Sequence, residues 1–125
     1  MKNVPDLSEN VIKQLLKVHL ISEGWSTETY RNNHHGLDVI AIRGDEHWVI
    51  MIKGEESADI VESFILALGS IVQVMEDPKS KYSIALPDII PYRRLWERLP
   101  VLVKQRTAIT ALFVNQGGSV VEIPG

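Results

Sequence analysis

The chain has 125 residues, 45% hydrophobic and 23% charged, the length and make-up of one soluble globular domain spanning residues 1–125. Zero cysteines exclude disulfides and thiolate-zinc sites, so any metal must bind through oxygen or histidine. A formal net charge of −3 is not the balance of a strong non-specific nucleic-acid binder.

"DLSENVIKQLLKVHLISEG" opens with Asp6 or Ser8 as N-cap, and Asp6 with Glu9 has capping-box spacing. Val11, Ile12, Leu15, Leu16 and Leu20 recur at helical spacing and Gly24 ends the run, which predicts a helix over 7–23. "WSTETYR" (25–31) reads as a short strand, followed by the polar loop "NNHHG". "GLDVIAIRGDEHWVIMIKGE" (36–55) then reads as two strands of a hairpin. "SADIVESFILALGSIVQVMED" (57–77) predicts a long amphipathic helix, begun by Ser57 and ended before Pro78, with Val61, Phe64, Ile65, Leu68, Ile71, Val72 and Met75 on one wide face. "KYSIALP" (81–87) is a buried strand, and 91–106 holds one or two short helices. "TAITALFV", "NQGG" and "SVVEI" close the chain as strand, turn and strand. The order predicts an α/β fold: a mixed central sheet flanked by helices, with a right-handed crossover from the third strand to the fourth.

No apolar run approaches the roughly 18 to 20 residues that span a bilayer, and "MKNVPDLSEN" lacks the basic start and apolar core of a secretory leader. A cytoplasmic protein with no membrane partner is expected. Arg93, Arg94, Arg98, Lys104 and Arg106 gather positive charge in one stretch, a local surface for nucleic acid or a solvated helix face. There is no GxGxxG, P-loop, GxSxG or His-Glu-x-x-His pattern.

The hairpin carries the chemistry. With Gly44 and Asp45 in the turn, Arg43 faces Glu46 and Asp38 faces Met51. Side chains alternate along a strand, so Asp38, Ile40 and Ile42 share one face with Val49, Met51 and Lys53. Two carboxylates on adjacent strands hold Mg²⁺ through hard oxygens, and a lysine two residues beyond the second orients the attacking water of phosphodiester hydrolysis. Here the second position is Met51, whose thioether does not replace a carboxylate at magnesium.

The acid, the hairpin and the "x-x-Lys-Gly" pattern resemble the PD-(D/E)XK, or restriction-endonuclease-like, nuclease superfamily. The order of elements over residues 7–87 matches that family's core of helix, three strands, helix and strand, leaving a C-terminal helix and β-hairpin as an extension. The resemblance implies a DNA endonuclease lineage using Mg²⁺ or Mn²⁺, with Asp38 as first metal ligand and Lys53 as catalytic lysine. Glu9 would match the acid that many members carry on the first helix. "HHGLD" looks like the lead-in of small bacterial members in which His35 sits near the site. Related members carry "ALGQ" on the long helix where this chain has "ALGS", so Ser70 departs from the pattern, with Gln73 one turn later as a stand-in. Glu62, from the helix after Lys53, or Glu9 would supply the second acid; Glu55 and Glu56 are nearer in sequence. The expected function is a nuclease-like protein with a degenerate site. The alternative is a noncatalytic homodimeric scaffold or nucleic-acid-binding module, with the C-terminal strands as a possible interface.

Overall fold

A computed structural model describes residues 7–32, 36–55 and 59–124, with the backbone alone for 30–32 and 36–38. Asp6, His34, His35, Glu56 and Ser57 lie outside the described residues, so the expectations placed on them are not addressed.

α1 (Glu9–Ser22) is capped by Ser8, whose hydroxyl accepts the Val11 N–H at 3.2 Å. Ile12, Leu16 and Leu20 are buried along one stripe, each contributing about 1.5–3 kcal/mol of burial. The helix stops where Gly24 takes φ 92°, a left-handed conformation that costs glycine little. β1 (Ser26–Asn32), β2 (Gly36–Arg43) and β3 (Glu46–Ile52) follow as an antiparallel meander. The β2–β3 register is the one the sequence implies, Arg43 opposite Glu46 and Asp38 opposite Met51. Gly44 enters the turn at φ 62°, as a two-residue hairpin turn requires at its first central position.

α2 runs over Ile60–Gln73, shorter at both ends than predicted. Asp59 is its cap, accepting the Glu62 N–H at 3.0 Å, and Val74 ends it well before Pro78. β4 (Lys81–Pro87) returns parallel to β3. The next stretch is two helices, α3 (Ile90–Arg98) and α4 (Val101–Thr107), separated at Leu99-Pro100 because proline has no N–H to continue the first. β5 (Thr110–Val114) is parallel to β4, and β6 (Val120–Ile123) pairs antiparallel with it.

All six strands form one sheet in the order β1-β2-β3-β4-β5-β6. The C-terminal strands therefore continue the central sheet. β5 is buried along its length, and β6 forms the edge of the sheet. α1 covers one face, packing on Val39, Ala41, Trp48, Ile50, Ile52 and Leu112. The other face carries Met51, Ile84, Leu86 and Phe113 under Phe64, Ala67 and Ile71 of α2 and Tyr92 and Trp96 of α3. Covering on both faces is why β4 and β5 read as near-continuous apolar runs.

The α2 face differs from expectation. Ser63, Phe64, Ala67, Ser70 and Ile71 point inward, whereas Val61, Ile65 and Val72 are exposed. Both sides of this helix are apolar, so periodicity did not choose between them. Among the described residues, no helix is long and apolar enough to cross a membrane.

Candidate active site

The end of β3 and the start of α1 meet through backbone bonds. The Glu55 N–H donates to the Leu7 carbonyl at 2.8 Å, and the Leu7 N–H donates back to Glu55 Oε2 at 3.0 Å. Lys53 extends the sheet by one more bond, its N–H donating to the Ala85 carbonyl at 3.0 Å. The Tyr92 hydroxyl donates to the Gly54 carbonyl at 3.3 Å. Lys53, Gly54 and Glu55 are thus fixed from β4, α3 and the α1 lead-in, on rigid elements as a site requires.

This clamp brings two predicted residues together: Glu9 Oε1 lies 3.7 Å from Lys53 Nζ, with the side chains 25% and 12% exposed. Asp38 and Met51 are direct cross-strand neighbours by backbone register, and Met51 is also paired with Ile84 on its other side. Met51 is fully buried, within the cluster that includes Phe64, Ala67 and Ile71 of α2. The position that the resemblance gives to a second acid is therefore filled by packing.

Of the remaining candidates, Ser70 is on the buried face of α2, and Glu62 and Gln73 are exposed. Glu62 is exposed in the first turn of α2. Ser70 is buried two turns beyond Ser63, about 10 Å along the helix, and its hydroxyl has no hydrogen-bond partner among the described residues. Gln73 is exposed at the helix end. Among the described residues no group of three or more His, Asp or Glu side chains is placed to hold a metal ion.

Sequence reasoning missed an ion pair beside the clamp. Arg93 forks onto Asp88 just after β4, with Nε to Oδ1 at 2.7 Å and a terminal nitrogen to Oδ2 at 3.0 Å. These hydrogen bonds hold the Asp88 carboxyl below its ordinary value, against the opposing effect of burial. The signal was present as an acid closing an apolar strand with an arginine five residues on. A cavity of about 590 Å³ lies at the other end of the sheet beside Trp25, Arg43, Trp48 and Lys81.

Among the described residues, six strands in a mixed sheet with four helices define the chain as an α/β protein with a particular, recurring fold. An XisH family protein from Nostoc punctiforme PCC 73102 shares that fold with a TM-score of 0.66 and 17% identity, covering 91% of this chain and 98% of that one. An FdxN element excision controlling factor protein from Anabaena variabilis does so with a TM-score of 0.64 and 17% identity, covering 90% and 96%. At that identity the likeness is one of fold. No family model and no curated protein matches the sequence.

Proposed function

We propose that this chain is a restriction-endonuclease-like protein whose metal centre is disarmed, and that it acts on DNA by binding or by controlling other factors rather than by standard two-carboxylate cleavage. The observation that carries the reading is Met51, fully buried and directly across from Asp38 in the register where a nuclease would hold its second acid. Lys53 is present and fixed, and the first-helix acid Glu9 is ion-paired to it. The donor set does not fit catalytic Mg²⁺ or Mn²⁺, because a neutral thioether offers neither the charge nor the hardness these ions need to lose hydration water. A controlling role also agrees with the description of one structural neighbour as an excision controlling factor.

The test is Mn²⁺ calorimetry and supercoiled-plasmid nicking on the native protein, Met51→Glu and Met51→Gln, each checked for cooperative unfolding. The expected result is metal binding and nicking by Met51→Glu alone, because Met51→Gln matches its size without its charge. Nicking by the native protein, abolished in Asp38→Ala, would overturn the disarmed reading. If folded Met51→Glu neither binds nor nicks, the nuclease lineage itself loses its support. DNA association is read from anisotropy across a salt series, where binding through phosphates weakens steeply as salt rises. Failure to bind at low salt would leave the noncatalytic scaffold.

A further inference from the structure

Positive charge is segregated onto one part of the chain. Residues 90–107, which hold α3 and α4, contain five basic residues and one acid, a net +4, whereas the other residues, eight basic and fifteen acidic, carry −7. Neither helix has an acid in its first turn, where an acid is favoured. Arg93 is already answered, since Asp88 forks onto it and Glu97 acts on it as well. Arg94 and Arg98 are exposed, four residues apart on one side of α3, and form no ion pair among the described residues. Like charges at that spacing repel, a cost to the free helix that an anion lying against them removes.

The two arginines flank a groove of about 300 Å³ that α3 makes with the start of α2. The acids on the α2 side are Asp59 and Glu62, both exposed. Asp59 caps α2 and Glu62 lies in its first turn, so both face the positive end of that helix's own dipole, which offsets part of their charge. On the other side α4 folds back on α3, with Lys104 Nζ 4.9 Å from the centre of the Trp96 ring. Tyr92, two residues before Arg94, donates to the Gly54 carbonyl, so α3 stands against the strand end that carries Lys53.

We infer that the outer side of α3 at Arg94 and Arg98 holds the phosphate backbone of duplex DNA, an inference that rests on the DNA-associated reading above. A net +4 surface on an otherwise acidic chain attracts a polyanion, and the acidic remainder turns that polyanion toward this side. The guanidinium groups make charge-assisted bonds to phosphate oxygens, which position the duplex beside the Lys53 end of the sheet and read no bases.

Anisotropy of a short fluorescein-labelled duplex across a salt series tests this, with thermal unfolding confirming that each variant folds. Arg94→Gln with Arg98→Gln is expected to weaken binding about tenfold or more at low salt and to reduce the slope of log affinity against log salt by about 2. Lys13→Gln with Lys17→Gln makes the same change of net charge on α1, which covers the opposite face of the sheet, and is expected to leave binding within about twofold. A native protein that binds DNA equally well without the two arginines, or that loses as much with the lysine pair, would overturn this surface and leave the DNA reading standing. A native protein that does not bind at low salt would overturn both. Phosphatidylserine vesicles are the second probe, because exposed Val101 and Leu102 follow the arginines, and binding to vesicles in place of DNA would overturn the proposal.

Discussion

Lys53 Nζ lies 3.7 Å from Glu9 Oε1, joining the end of the β2–β3 hairpin to the first turn of α1. Both side chains are more than two-thirds covered, so solvent screens the pair less than a surface ion pair. Removing either charge should lower stability by about 1 kcal/mol, within the range between exposed and buried pairs. A double-mutant cycle of Glu9→Gln and Lys53→Met, read from urea midpoints at constant slope, should give a coupling of about 0.5–1 kcal/mol. Coupling indistinguishable from zero would mean that the backbone clamp at Leu7 and Glu55 holds the two elements together unaided.

The buried thioether makes a volume prediction. Met51 touches the α2-side core, so Met51→Ala should cost about 2–5 kcal/mol through the cavity it leaves, whereas Met51→Leu should cost less than about 1.5 kcal/mol. Denaturant unfolding of the two variants separates a packing role from a solvent-facing one. Equal, small effects from both would show that the position is not part of the core.

The hydroxyl of Tyr92 reaches the Gly54 carbonyl from α3 in a buried setting. Tyr92→Phe should destabilise by about 0.5–1.5 kcal/mol. Amide exchange should also quicken at Lys53 and Glu55, whose N–H groups bond to Ala85 and Leu7 in the same clamp. Unchanged exchange at both amides would remove Tyr92 from the support of the site.

Local patterns made the hairpin legible: the glycine turn pinned the register, and alternation then put Asp38 opposite Met51. The core order of helix, three strands, helix and strand followed from periodicity, and all of these elements are present. The orientation of α2 was not legible, because Val61, Ile65 and Val72 are as apolar as Phe64, Ala67 and Ile71, and burial depends on what lies opposite. The Leu7–Glu55 bonds depend on how distant parts of the chain meet in space, which no local spacing encodes, whereas the Arg93–Asp88 fork spans five residues and had a local signal in the acid that closes β4. Glu9 stands in line with Ile12, Leu16 and Leu20 by helical phase, and its carboxylate lies 3.7 Å from Lys53 Nζ.

The Asp88–Arg93 fork adds a pH dependence whose sign is fixed. Hydrogen bonds from Arg93 hold the folded carboxyl below its ordinary 3.8, so the unfolded chain takes up the proton first as pH falls. The stabilisation is therefore fully present above the unfolded value and lost as pH drops through the folded one. Asp88→Asn should cost about 1 kcal/mol near pH 7, since it leaves the partly covered Arg93 with a weaker, neutral acceptor. The gap between native and variant should close below about pH 4, where the native carboxyl is itself becoming neutral. Urea unfolding at stepped pH values reads this directly. Parallel stability curves for the two proteins from pH 7 to pH 3 would show that the fork contributes nothing through its charge, leaving Arg93 to act through its stacking on the Phe113 ring, 4.4 Å away.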